Sequence, residues 1–227
     1  MAWFPDLYRS AVGKKAVMAA TGIVLFAFVL GHLLGNLKLY LGPLAYNGYA
    51  RFLRTVGEPV VPAGVLLWTV RVVLLACVAL HVEAAWRLTL ISREARPVAY
   101  VAGTRIHTTY ASRTMRWGGV IILLFVVYHL LHFTWGTVHP SFVPGDVYHN
   151  VVTGFQVWWV AIFYVAAQIA LGLHLYHGLW SMFQSLGWNH PRFNLWRNGF
   201  AHAFAWIVTA GNVSFPVAVL SGLVRLR

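Results

Sequence analysis

Long apolar runs separated by short polar stretches set the pattern of this chain. Runs of about 20 residues, the length that crosses a hydrocarbon layer as a helix, lie near 15–40, 62–90, 117–138, 155–186 and 199–224. The pattern predicts an all-α integral membrane protein, a single membrane domain over 1–227 with five transmembrane helices. An odd number of spans puts the two ends of the chain on opposite sides. The segment MAWFPDLYRSAVGKK carries Asp6 and two lysines ahead of a run long enough to span, so no cleavable signal peptide is expected and the first span is retained.

Composition agrees: 59% of the residues are hydrophobic and 10% charged, against about 25% charged in soluble domains, with a mean hydropathy of +0.68. Aromatic residues make up 15%, which suits helix ends in two interfacial belts and an interior that holds a flat aromatic ligand. The formal charge of +12 does not point to nucleic acid, because Lys and Arg lie in loops and helix ends rather than in one basic stripe. Eleven of them fall in the N-terminal segment and the loops after spans two and four, namely Arg9, Lys14, Lys15, Arg87, Arg93, Arg96, Arg105, Arg113, Arg116, Arg192 and Arg197. The other side holds five, Lys38, Arg51, Arg54, Arg225 and Arg227, which predicts a cytoplasmic N-terminus and loops that meet membrane lipid headgroups.

Ionisable side chains in hydrocarbon are rare, costly and normally functional. Here four of the five spans carry an interior histidine, His32, His81, His129 and His174; His132 and His177 follow two of them at three residues, and His202 opens span five. The motifs GHLLGN around His32 and YHLLHF around His129, each followed by a span with another histidine, hint at a duplicated helix pair. Counting depth along each helix puts His32 and His129 in an outer tier and His81 and His174 in an inner one, on the order of 10 Å apart. Two stacked pairs of neutral imidazoles suit two b haems, each iron taking a nitrogen from both faces, and such sites transfer electrons rather than activate oxygen. A proton relay or simple hydrogen bonding is the competing account. His132 and His177 stand about 300° round the helix from their neighbours and could instead ligate, touch a propionate or quinone, or bond a carbonyl.

Gly31, Gly35, Gly118, Gly119, Gly172 and Gly178 surround these histidines, either to admit a porphyrin or as small-residue helix packing. Arg71 lies outside the midpoint of span two, where it could neutralise an outer haem propionate, and Glu83 near its inner end is expected to reach water. Cys77 is the only cysteine. It excludes an internal disulfide, an iron–sulfur cluster held by this chain alone and C-x-x-C-H attachment, so any haem is held non-covalently.

Three segments, KKAVMAATGIVLFAFVLGHLLGN, ASRTMRWGG followed by VVYHLLHF, and LGLHLYHGLWSMFQSLGW, resemble the dihaem cytochrome b membrane anchor of succinate dehydrogenase and fumarate reductase, the single-chain, five-helix form of complex II in the bacterial cytoplasmic membrane. The resemblance covers nearly the whole chain. It implies that His32 with His129 holds the outer haem and His81 with His174 the inner one, which selects His129 over His132 and His174 over His177. It also implies a flavoprotein and an iron–sulfur subunit as partners, electron transfer to a quinone, menaquinone by family analogy, and a complex II whose higher oligomerisation the sequence leaves open. Lys15, His107, Ser112, Arg113 and Arg116 lie on the expected docking side, as contacts for inner-haem propionates or the iron–sulfur protein, with solvated loop residues as the alternative. Where some family members have a proton-carrying glutamate two residues before the fourth ligand, this chain has Gly172. Two other functions compete: the dihaem subunit of a hydrogenase or formate dehydrogenase, separated by co-purification with succinate activity, and a non-haem histidine-relay transporter, which predicts a colourless protein.

Overall fold

The computed structural model describes residues 8–95, 110–188 and 190–226, with side chains at 110–114 outside the description. Its helices are α1 (Ala11–Asn36), α2 (Pro43–Thr55), α3 (Val65–Glu94), α4 (Tyr110–His129), α5 (Val147–Gln156), α6 (Trp158–Ser185) and α7 (Asn194–Leu220), with no strand among the described residues. Five segments are long and apolar enough to cross a membrane: Ala11–Leu41, Val65–Glu94, Met115–Thr134, Trp158–Ser185 and Pro191–Leu220. The last begins earlier than the apolar run suggests. Arg197 explains the difference: it is buried, its guanidinium donates to the Trp188 carbonyl at 2.8 Å and to the Asn194 side chain, and so it lets the helix run through a polar stretch.

Satisfied polar groups also set the start of α1. Ser10 caps it by accepting from the Gly13 amide at 3.0 Å. The buried Lys14 ammonium donates to the carbonyls of Tyr8 at 2.9 Å and Arg9 at 2.7 Å. Tyr8 in turn donates to Glu83 of α3, which also accepts from Arg87 at 3.0 Å. Glu83 is therefore half-buried and tied to two partners, not simply turned to water as expected from its place near the helix end.

Tryptophans mark both membrane boundaries. Trp86, Trp117, Trp188 and Trp196 are exposed at the helix ends nearest the start of α1, and Trp68, Trp135, Trp158 and Trp159 at the opposite ends. Between these belts the exposed surface is predominantly apolar, with His32 and His202 as exposed exceptions.

The bundle is built from α3 along α1, α4 along α6, and α7 along α6 and against α1. Small residues allow the closest approaches. A Cβ on Gly172 of α6 would collide with Thr209 Oγ1 of α7, and one on Gly211 would stand 2.7 Å from Leu33 Cδ1 of α1. One added to Gly35 would lie 2.6 Å from the Tyr49 ring. Gly35 and Gly172 are thus packing residues, which decides the open question left by their positions beside His32 and His174. The buried Gln168 accepts from Asn212 Nδ2 at 3.1 Å, joining α6 to α7 by a hydrogen bond inside the apolar layer.

On the face opposite the N-terminus, α2 and α5 close the bundle. Asp146 caps α5 by accepting from the His149 amide at 3.0 Å and also from Asn47 Nδ2 of α2 at 2.9 Å, while Asn47 Oδ1 accepts from the Tyr148 amide at 3.0 Å. The His149 amide, helped by Asn47, holds the Asp146 carboxyl below its usual 3.8.

Gly172→Ala is expected to lower stability by roughly 1–3 kcal/mol through overpacking, with most of the loss recovered when Thr209→Ala is added; thermal unfolding in detergent measures both. Asp146→Ala is expected to cost about 1 kcal/mol as a lost cap. Because the folded carboxyl is depressed, its contribution is present above the usual carboxylate range and is lost as pH falls through the folded value. The Asp146→Ala deficit seen in thermal unfolding at pH 7 should therefore shrink below about pH 4.

Candidate functional site: two histidine pairs between the helices

His32 of α1 faces His129 of α4 with ring centroids 5.9 Å apart and planes at 89°. His81 of α3 faces His174 of α6 with centroids 6.3 Å apart and planes at 59°. Each pair joins helices from different walls: α1 and α3 pack on one another, α4 and α6 on one another, and the imidazoles reach across the space between.

Along α1, Thr21 meets His81 and His32 lies eleven residues further on, nearly the same face three turns away. That places the two levels about 16 Å apart at 1.5 Å per residue. On α4, Gly119 adjoins His174 and His129 follows ten residues later, which gives about 15 Å. The separation is larger than the value of about 10 Å from span midpoints, because His81 and His174 lie further toward the N-terminal face than midpoint counting places them.

The surroundings of the pairs are low-walled. His32 is exposed and His81, His129 and His174 are half-buried. A Cβ on Gly31 or Gly118 would have nothing within 4 Å, while one on Gly22 would stand 3.6 Å from His81 Cε1 and one on Gly119 3.9 Å from His174 Cε1. The glycine signal thus belongs to Gly22, Gly31, Gly118 and Gly119, and Gly22 is a member the sequence pattern around the histidines did not single out.

Hydrogen bonds orient the rings. Thr21 Oγ1 donates its one proton to the Val17 carbonyl at 2.8 Å and so accepts from His81 Nδ1 at 3.1 Å, leaving His81 Nε2 with a free lone pair. His174 Nδ1 is buried without a hydrogen-bond partner among the described residues. Tyr164 of α6 lies 3.5 Å from His129 Nδ1. Thr21 and Tyr164 are site residues that sequence reasoning missed; the periodic signal for Thr21 was its place on the His32 face of α1, and for Tyr164 a hydroxyl in an apolar span.

Two imidazoles sharing one metal ion, each nitrogen about 2.0–2.1 Å from it and each centroid roughly 1.1 Å beyond, stand about 6.3 Å apart. Both observed pairs have about this centroid separation, 5.9 and 6.3 Å. No cluster of three or more metal-ligating side chains occurs among the described residues. Two protein nitrogens leave a bare ion under-coordinated, whereas an ion that arrives with its own equatorial donors needs only these two.

The neighbouring histidines differ. A π turn, Leu130–Thr134, follows His129 and carries His132, which has 0% exposure. His132 stacks on His139 at 4.8 Å and 28°, a face-to-face arrangement that does not aim two nitrogens at one ion. His139 uses both of its own: Nε2 donates to the Asn150 carbonyl at 2.7 Å and Nδ1 accepts from the Ser141 amide at 3.0 Å. His177 has no hydrogen-bond or ring partner among the described residues.

The Arg71 guanidinium rests 4.8 Å from the Trp68 ring centroid on its own helix. Lys15 and Arg116 are exposed at the N-terminal face. The structure brings none of these three to a histidine pair. His107 lies outside the described residues, as do the side chains of Ser112 and Arg113.

A family model described as succinate dehydrogenase/fumarate reductase transmembrane subunit matches residues 90–213, more than half of the chain. No curated protein and no solved structure gives a significant match.

Proposed function

Because the chain belongs to the succinate dehydrogenase/fumarate reductase transmembrane subunit family, we propose that it is the cytochrome b anchor of such a complex, holding two non-covalent b haems and passing electrons between a partner iron–sulfur subunit and a membrane quinone. The observation that carries this reading is the pair of imidazole pairs at 5.9 and 6.3 Å, each bridging separate helices. His32 and His129 would hold the haem of the level far from the N-terminus, and His81 and His174 that of the near level.

Each haem supplies a reversible one-electron carrier when bound. The chain's own part is to hold and tune. Four neutral imidazoles would offer the haems nitrogens inside the apolar layer without burying additional charge. Thr21 fixes the tautomer of His81 by accepting its Nδ1 proton. The glycines at 22, 31, 118 and 119 keep the helix walls away from the space beside the rings.

In this reading the N-terminal face is cytoplasmic. The exposed Lys15 and Arg116 there, with His107, Ser112 and Arg113 of the sequence between spans two and three, meet the iron–sulfur subunit or near-level propionates, and the flavoprotein that handles succinate or fumarate docks beyond it. Arg71, on the other half of α3, is the candidate counter-charge for a far-level propionate. Menaquinone is the quinone proposed by family analogy. Gly172 backs directly onto Thr209, so this position has no room for a carboxylate and no proton path is assigned through it.

The purified complex should show a reducible b-type spectrum with two haems per chain. Replacing His32 or His129 by Ala is expected to remove one spectral component, and replacing His81 or His174 the other, halving the haem-to-protein ratio in each case. Two full haems surviving all four substitutions would sink the assignment.

A further inference from the structure

The two nitrogens of a neutral imidazole have different jobs at a metal: one binds, and the other must carry the proton. For His129 the nitrogen that faces Tyr164 is Nδ1, at 3.5 Å from the hydroxyl oxygen. The same oxygen stands 3.0 Å from His132 Nδ1. Tyr164 has a single proton to give, so it donates toward one imidazole and accepts from the other. If it donated to His129, His129 would hold its own proton on Nε2 and could not bind through that atom. If it donates to His132, its lone pairs face His129, which then keeps its proton on Nδ1 and its lone pair on Nε2.

His132 has the features of a fixed acceptor. It has 0% exposure, and its ring packs against Phe133 at 4.1 Å and 40° and His139 at 4.8 Å and 28°. Gly154 of α5 leaves just enough room for it, since a Cβ there would stand 2.9 Å from His132 Cε1 and 3.1 Å from Nε2. Its Nε2 has no hydrogen-bond partner among the described residues, and a buried polar atom left unpaired costs about 1–3 kcal/mol. An apolar side chain would avoid that cost, so what His132 offers is its other nitrogen. His139 cannot pass it a proton, because both His139 nitrogens are committed to Asn150 and Ser141.

We propose that His132 and Tyr164 form a positioning chain for His129: His132 Nδ1 takes the Tyr164 proton, and the Tyr164 oxygen thereby accepts from His129 Nδ1, fixing the tautomer and orientation of that imidazole and raising its electron-donating power. This rests on the reading of His129 as an axial ligand. An imidazole whose outer N–H is donated is the more basic ligand and favours the oxidised metal, so losing the chain raises the potential of the far-level haem and leaves the near-level one alone.

Potentiometric titration of the holo-complex, with the two b components followed separately, tests it. Tyr164→Phe removes only the hydroxyl, and His132→Leu removes the acceptor together with its ring; each is expected to keep two haems and shift the far-level midpoint upward. His132→Asn puts an acceptor oxygen where Nδ1 stood and is expected to restore the original potential. Unchanged potentials in Tyr164→Phe, an equal shift of both components, or an Asn variant that behaves like the Leu variant overturns the proposal. Failure of the underlying reading looks different: His129→Ala would then retain both haems, whatever the Tyr164 variant does.

Discussion

Inside a hydrocarbon layer no water answers a polar group, and that single constraint organises this chain from its helix starts to its centre. Lys14 donates to two backbone carbonyls at the start of α1. Arg197 does the same for the turn before α7, and Gln168 with Asn212 satisfies one polar pair at a helix seam. What these local solutions leave are imidazoles that face each other across the bundle instead of bonding to their own helix. The same physics that penalises polar atoms elsewhere makes those rings informative.

The site can therefore be read as a division of labour between walls. α1 contributes His32, the hydroxyl that orients His81, and glycines at 22 and 31; α4 contributes His129 and glycines at 118 and 119; α3 and α6 contribute one near-level ring each. Each wall is held by apolar packing, and each pair of rings is held by both walls. α7 takes no part in the pairs and instead backs α6, where Gly172 and Thr209 set the distance.

Much of this was legible in the sequence because hydrocarbon makes exceptions conspicuous: five apolar runs forecast five membrane helices, and the facing of His32 with His129 and of His81 with His174 followed from depth and the family motifs. Less visible were features that exist only between helices. Thr21 and Tyr164 look like ordinary span residues until α3 or α4 is placed beside them. Gly35 and Gly172, adjacent to histidines in sequence, turn their missing side chains toward Tyr49 and Thr209 instead. Lys14 and Lys15 are indistinguishable as letters, yet helix phase buries the first and exposes the second. Depth counting fixed the order of the two levels but compressed their spacing, since the ends of an apolar run do not coincide with the ends of its helix.

The position of α3 has a bearing on how the protein is made. It packs along α1 and touches α2 near its start, and the most apolar stretch of the helix has no buried residue. A ribosome feeding the membrane from the N-terminus releases α1 and α3 as a ready-made hairpin long before α6 exists. His81 then waits on the rim of a half-built wall. Only the emergence of α6, nearly a hundred residues after His81, brings His174 opposite it, so the near-level pair is completed late in biosynthesis and joins the hairpin to the rest of the molecule alongside the packing of α7 on α1.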